Sequence, residues 1–227
     1  MEMCGGLSRR FRCRGVSGRF RCFGGRVELV IWITEGCGCR LDVGATTRDC
    51  GEIMMIKTDR LSIRRVRTDD WTAIQNIWVD AAKSIYAQYD KPNDLDDQSV
   101  FLRISKWASF ANSDEHIFVA VCLQDVVIGY VAFNIRETGY EMGYCFHSDH
   151  HGKGYARESI SAILDVMKDR GAISITAGTA LNNITSVRLL TSLGFRQTGT
   201  EKVSFYKDDE GNAIIFEGGI YELHLCK

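Results

Sequence analysis

The apolar positions of the chain keep a regular rhythm only from Met55 onward. Leu61 and Ile63 alternate with polar neighbours, which predicts a short strand with one buried face. The Asp69-Asp70 pair then offers an N-cap to a helix in which Trp71, Ile74, Ile77, Trp78 and Ala81 recur at three-to-four spacing. Lys91-Pro92-Asn93-Asp94 reads as a loop, and Phe101, Ile104, Trp107 and Ala108 mark a second helix. Strands follow. Ile117, Val119 and Val121 alternate, Gln124-Asp125 turns the chain, and Val126 to Phe133 returns as a near-continuous apolar run. Tyr140, Met142, Tyr144 and Phe146 form one face of the next strand, with Glu141, Gly143 and Cys145 on the other unless a bulge shifts the parity.

Past a glycine loop, Ala156, Ile160, Ile163, Leu164 and Met167 predict a helix that closes near Gly171. Ile173, Ile175 and Ala177 predict a strand, and Ile184, Val187, Leu190 and Leu193 a further helix. Gly194-Phe195 starts more strand, and Asp208 to Asn212 turns the chain before Gly219 to Leu225. The order β-α-α-β-β-β-α-β-α-β-β joins hairpins to a β-α-β unit. It predicts an α/β (α+β) fold, a mixed sheet with helices on both faces. Nothing within residues 55–227 reads as a linker, so they are expected to form one domain.

Composition narrows the function classes. A formal net charge of -1 gives no electrostatic footing for a nucleic-acid or membrane partner. No run approaches the roughly 18 apolar residues of a spanning helix. A cytoplasmic location is expected.

Gly152-Lys153-Gly154 stands between a strand and a helix, an arrangement suited to an anion. Glycine lets the backbone approach an oxyanion, and the first N–H groups of a helix have no internal partner and carry partial positive charge. The spacing fits neither a Walker loop nor a dinucleotide fingerprint. The loop has ordered company: Tyr140 to Phe146 before it, His151 to Glu158 through it, then Asn183-Ile184-Thr185-Ser186 and Leu193-Gly194-Phe195. In these motifs, across about residues 56–225, the chain resembles the GNAT acetyltransferase superfamily, and within it the ribosomal-protein-alanine N-acetyltransferase-like branch. The resemblance implies a mostly antiparallel sheet and acetyl-CoA as cofactor. It places pantetheine beside Tyr144, Cys145, Phe146 and His147, and pyrophosphate on the amides of His151, Gly152, Lys153, Gly154, Tyr155 and Ala156. Asn183 and Ser186 border the same ligand. His151 stands where relatives usually carry Gln or Arg. Leu190 stands where many carry a Tyr that protonates the CoA thiolate, which leaves Ser186 as the next candidate donor; alternatively its hydroxyl serves only its own helix.

The implied reaction is direct transfer of acetyl to an amine acceptor, a protein N-terminus, peptide or small molecule. The amine must be neutral, which at pH 7 costs an α-amine about 1 kcal/mol and an unperturbed lysine about 4.6 kcal/mol. Glu141, the carboxylate on the strand before the loop, is assigned as general base, against the alternative of an exposed strand carboxylate without a role. Backbone N–H groups near Tyr144 to Phe146 are candidates to polarise the thioester carbonyl. His147, His150 and His151 cluster, but no metal is expected. Cys145 reads as a buried thiol rather than a nucleophile. Two other readings compete: a non-catalytic acyl-CoA sensor, and an enzyme with another acyl donor or amine, such as an antibiotic or polyamine. Acceptor choice falls to the loops Ala87 to Asp97 and Phe205 to Glu217, where Asp90, Asp94, Asp96 and Asp97 either attract a cation or are simply solvated.

Residues 1–54 differ in kind. The first 53 hold six of the nine cysteines and nine arginines, with no lysine before Lys57. A nine-residue motif occurs twice in tandem, Gly6 to Arg14 and Gly15 to Phe23, too few copies for a solenoid. Cys37-Gly38-Cys39 is a poor match to structural zinc spacing. This Arg/Cys/Gly-rich extension is expected to be disordered or outside the working enzyme, for instance upstream of a true start at Met54 or Met55. A basic arm for an anionic partner is the competing reading.

Overall fold

The structure, a computed structural model, describes residues 10–13, 16–23, 26–33, 55–137 and 139–225. The chain divides into two compact units, Met1–Glu52 and Ile53–Lys227. In the first, β1 (Arg10–Cys13), β2 (Val16–Phe23) and β3 (Arg26–Ile33) form an antiparallel sheet in that order. Each copy of the nine-residue motif contributes one strand. These three strands lie within the segment expected to be disordered or outside the working enzyme. Cys4, the Cys37-Gly38-Cys39 run, Cys50 and Met54 lie outside the described residues.

The second unit holds eight strands in the order β10-β11-β9-β8-β7-β6-β5-β4. They are β4 (Ile56–Lys57), β5 (Ser62–Arg65), β6 (His116–Leu123), β7 (Val126–Arg136), β8 (Gly139–Phe146), β9 (Ser174–Ala180), β10 (Arg196–Val203) and β11 (Phe216–His224). Every neighbouring pair is antiparallel except β8 with β9. Helices α1 (Trp71–Ala81) and α2 (Asp97–Ser109) cover one face, and α3 (Tyr155–Asp169) and α4 (Ile184–Ser192) the other. Strand β6 records this arrangement in its own residues. Ile117, Val119 and Val121 pack with Ile160, Ile163 and Met167 of α3, while Phe118, Ala120 and Cys122 pack with Trp78, Val100 and Ile104. A strand covered on both faces has no polar side to alternate with. Among the described residues no helix is long and apolar enough to cross a membrane.

Several local expectations are corrected. Asp70 does not cap α1 with its side chain. It accepts a bond from Arg67 N at 2.7 Å and a bidentate pair from Arg64 at 2.7 and 2.8 Å, closing the 3-10 turn ahead of the helix. In α2 Ile104 is buried and Trp107 packs against the same core, as expected, but Val100 is buried in place of Phe101, which is exposed. Ile173 and Ile184 are likewise exposed. The β7–β8 register is unbroken, and the irregularity falls instead between β6 and β7, where Val121 pairs Gly129 and Cys122 pairs Val127. Gln124 and Asp125 turn the β6–β7 hairpin with φ of 49° and 68°, as a two-residue turn of the primed type demands.

The parallel contact of β8 with β9 is short. It comprises Tyr140↔Ile175 and Glu141↔Thr176 and goes no further, although β8 runs on to Phe146 and β9 to Ala180. At its closed end the backbones nearly touch: a Cβ on Gly139 would lie 2.2 Å from the Ser174 carbonyl oxygen. Backbone cannot swing aside as a side-chain tip can. Gly139→Ala is therefore expected to lower stability by about 1–3 kcal/mol, the cost of overpacking, read from the midpoint of urea unfolding.

Candidate active site

Where β8 and β9 part, β8 offers main-chain groups that β9 does not use. Their direction follows from two bonds. Thr176 Oγ1 donates to Tyr140 O at 3.4 Å across the β9 side, and His147 N donates to Ile128 O at 3.0 Å on the β7 side. Successive residues of a strand alternate in direction, so Met142, Tyr144 and Phe146 turn their N–H and C=O groups to the gap, and Gly143 and Cys145 to β7. Phe146 reaches the site through its main chain alone, because its side chain is buried in the core. Its carbonyl accepts a 2.8 Å bond from His151 Nε2, which fixes that imidazole as the Nε2–H tautomer. His151 thus ties the loop to the end of β8.

Across the gap stands the start of α4. Asn183 caps it, accepting from Ser186 N at 3.2 Å. The Ser186 hydroxyl lies 2.7 Å from the Tyr144 hydroxyl, so two O–H groups from opposite sides of the gap share one hydrogen bond. Burial pushes the Tyr144 phenol up to about 12, against the pull of the Ser186 bond, so Tyr144 keeps its proton at neutral pH. Leu190 is fully buried and apolar.

The glycine loop lies beyond the mouth of the gap. Gly152 and Gly154 have φ of 71° and 81°, conformations that other residues adopt only with strain. The first helical bond of α3 runs from Glu158 N to Gly154 O at 3.0 Å. The N–H groups of Tyr155, Ala156 and Arg157 precede it and have no intrahelical acceptor. The Lys153 ammonium donates to Asp149 O at 2.7 Å.

A clamp that sequence reasoning missed holds this loop. Arg60 donates to Lys153 O at 3.0 Å, to Glu158 Oε2 at 2.8 Å through Nε, and packs over the Tyr155 ring at 4.6 Å. Thr58 Oγ1 donates to Glu158 Oε1 at 2.6 Å. Burial alone would raise the Glu158 carboxyl, but the bonds from Thr58 and Arg60 prevail and hold it below its ordinary value. At the other end Asp80 of α1 accepts from Ser148 N at 2.7 Å and Ser148 Oγ at 2.8 Å. Nothing in the spacing of Thr58, Arg60 and Glu158 signals that they meet; the pairing of β4 with β5 brings them to α3.

On the α1–α2 face a cleft of about 660 Å³ opens in front of Gly143, Tyr144 and Cys145. Its walls include Trp78, Trp107, Tyr130, Asn134 and residues of the 87–95 loop, and Tyr206 comes from the later loop, as expected for the variable segments. Trp78 Nε1 donates to the Tyr130 hydroxyl at 2.9 Å. Of the four aspartates in the first loop, only Asp90 lines the cleft. Asp96 caps α2, Asp94 accepts from Asp96 N at 3.1 Å, and Asp97 accepts from Gln75. Burial, with the carboxylates of Asp90 and Asp80 adding to it, pushes the Cys145 thiol up to about 12. It is a neutral thiol at pH 7 and a poor nucleophile.

Glu141 is about half exposed, does not line the cleft, and pairs with Arg136 of the same hairpin. Its cross-strand partner Asn134 and its neighbour but one Gly143 are cleft walls, so the carboxylate stands just outside the rim. The His147 and His150 rings lie edge to face at 6.3 Å, and each histidine also has a neighbour of its own. His147 Nδ1 accepts from Asp149 N at 3.3 Å, the His150 ring faces Tyr155, and His151 bonds Phe146. Among the described residues no three His, Cys, Asp or Glu side chains are grouped to hold a metal ion.

A sheet that splits beside a glycine turn, with a cleft along the same strand, is the arrangement that the resemblance to GNAT acetyltransferases implies. Residues 60–196 match the family described as Acetyltransferase (GNAT) domain, and the chain belongs to that family. It is an N-acetyltransferase by class. It is similar to the uncharacterized N-acetyltransferase YnaD of Bacillus subtilis, with 29% identity over 69% of this chain and 91% of that protein. It is also similar to the L-amino acid N-acyltransferase MnaT of Escherichia coli, with 31% identity over 60% of this chain and 79% of that protein. In fold it resembles the ribosomal-protein-S5-alanine acetyltransferase of Vibrio fischeri, at TM-score 0.64 and 17% identity over 75% of this chain and 96% of that one. Other neighbours of this fold are solved with acetyl-CoA bound.

Gly154→Ala puts a side chain on a left-handed residue at the head of α3. The expected outcome is a loss of CoA affinity of about fivefold or more, from roughly 1 kcal/mol of backbone strain at the anion site. Calorimetric titration with CoA checks it.

Proposed function

We propose that this chain transfers the acetyl group of acetyl-CoA to a primary amine by direct attack. One observation carries the reading. The gap between β8 and β9 leads on one side to the orphan amides of the glycine loop, and β8 faces the aromatic cleft on the other. Tyr144 and Cys145 line the cleft and belong to the strand that borders the gap. The fit to the cofactor rests on the positive-φ glycines, the orphan amides at the start of α3 and the open main chain of β8. The amides of Gly152 to Ala156 would hold the pyrophosphate, and the gap-facing main chain of Met142 and Tyr144 the pantetheine. Bound acetyl-CoA supplies an acetyl group activated as a thioester.

The chain's own residues manage position and protons. The Tyr144 N–H faces the gap and is the donor best aimed to polarise the carbonyl. Cys145 faces β7 with its main chain and carries no acyl group. Ser186 passes its proton to the departing sulfur while the Tyr144 phenol bonded to it replaces that proton, and the strongly basic phenolate regains its own from solvent. This hydroxyl pair answers the lack of a donor at Leu190 and favours catalysis over a sensing role. Glu141 takes the proton of the attacking amine through water, since its carboxylate stands outside the rim. The acceptors named for the relatives, a ribosomal-protein alanine and an L-amino acid, are both primary amines.

Thiol release from acetyl-CoA across a panel of amines tests the activity; tight CoA binding with no amine-dependent release would overturn it. Glu141→Gln is expected to keep its acetyl-CoA affinity and to lose roughly a hundredfold in turnover at pH 7. The loss shrinks towards pH 9, where a larger share of the amine is already neutral. Equal turnover of variant and parent at pH 7 would remove Glu141 from the mechanism.

A further inference from the structure

The cleft carries three charged side chains on its wall, Asp90, Lys91 and Arg103, and Asp90 and Arg103 do not pair with each other. Asp90 stands on its wall beside the 3-10 turn Ala87–Tyr89, and Arg103 on its wall from α2. Both charges act on one atom: the Tyr130 hydroxyl, raised mainly by burial, is pushed further by Asp90 and drawn back by Arg103. Yet no ion pair joins the two among the described residues.

Arg103 is held where it is. Its Nη1 donates to Asn93 Oδ1 at 2.9 Å, and its guanidinium carbon lies 4.8 Å from the Trp78 ring and 5.6 Å from the Trp107 ring. An arginine has five N–H donors in a planar fork, and Asn93 engages one group of them. Asp90 is fixed through its backbone, its N–H bonding Ala87 O at 3.2 Å. Asp90 is exposed on the cleft wall, and the packing around it raises its carboxyl above the ordinary value. The rest of the wall is mixed: Trp78, Trp107, Phe118 and Leu95 are apolar, and Lys91, Asn134 and Tyr206 are polar.

A ligand bearing both an ammonium and a carboxylate would answer Asp90 and Arg103 together. A simple amine answers Asp90 and leaves the guanidinium facing an apolar group. A diamine sets a second cation against Arg103. A peptide or protein N-terminus supplies the ammonium, but its next group is an uncharged amide. An α-amino acid carries an ammonium and a carboxylate on one carbon, and its side chain can lie on the tryptophan wall.

Resting on the acetyltransfer reading of the same site, we infer that the acceptor is a free α-amino acid, with Asp90 receiving its ammonium and Arg103 its carboxylate. These two residues are the specificity determinants of the cleft. The carboxylate–guanidinium bond is charge-assisted, and losing it by amidation of the acceptor removes a strong contact while sparing the amine. Glu141 and Ser186 act on protons of the reaction, whereas Asp90 and Arg103 decide which amine arrives.

The test uses the full chain with L-methionine and L-phenylalanine, the primary amide of each, and a hexapeptide beginning with alanine. Thiol release gives kcat/KM, and calorimetry on the CoA-loaded chain gives Kd. The parent protein is expected to favour each acid over its amide and over the peptide by at least about tenfold in both measures. Arg103→Gln should bring the acid-to-amide ratio to about one, and Arg103→Lys should leave an intermediate ratio. Asp90→Asn should weaken acid and amide together and keep the ratio. Equal use of acid and amide by the parent, preference for the peptide, or a ratio unmoved in Arg103→Gln overturns the inference. The acid-to-amide comparison in the parent needs no variant to fold. Should no amine release thiol, the transfer reading fails by itself, and the calorimetric ratio still decides what the cleft binds.

Discussion

The site depends on two strands that are paired for two residues and then separate. Had β9 continued alongside β8, the N–H and C=O groups of Met142, Tyr144 and Phe146 would be spent on the sheet. Parting after Glu141 releases them without breaking the core, because β8 keeps its full ladder with β7, and β9 keeps its own with β11. Gly139 sets the closed end by allowing backbone against backbone. Among the described residues, the Tyr144–Ser186 hydroxyl pair spans the open end.

An opened sheet needs its edges fixed, and here the fixing is distributed. His151 fastens the loop to the end of β8, Arg60 and Thr58 fasten Glu158 and Lys153 to the β4–β5 corner, and Asp80 fastens Ser148 to α1. Exposed ion pairs singly contribute little. Arg60 differs because one guanidinium reaches a carboxylate, a carbonyl and an aromatic ring together, which shares the entropy of ordering one side chain among several contacts. The effect is to present the amides of α3 in one direction, and that preorganisation is what an anion site requires.

Much of the fold was legible along the chain. The strand and helix order, the Gln124-Asp125 turn, the parity of β8 and the positions of both glycine turns follow from periodicity and from residues that tolerate unusual φ. The misses have local physical causes. Asp70 looked like a cap because Asp before a helix commonly is one, but Arg64 and the Arg67 amide compete for the same oxygens. Phe101 looked buried because an aromatic residue fits a helical stripe, yet the rotation of α2 on the sheet buries Val100 instead. The acidic run of the 90–97 loop looked like one electrostatic feature, and three of its four members turn out to be local caps and tethers. Of the strands within residues 10–33, β3 coincides with the apolar run from Val27 to Ile33, while β1 and β2 lie where arginine and glycine are frequent.

By itself, then, the sequence determined the element order, the two-sided burial of the central strands and the family, because these depend on local period and on motifs read in sequence. The glycine loop was recognisable for the same reason: its chemistry is in consecutive residues. Which groups face one another across the gap and the cleft was decided only by the tertiary structure. Tyr144 meets Ser186, Arg60 meets Glu158, and Asp90 and Arg103 share a cleft without touching. Each of these pairs lies on different elements, and only the packing of helices on both faces of a splitting sheet fixes their distances.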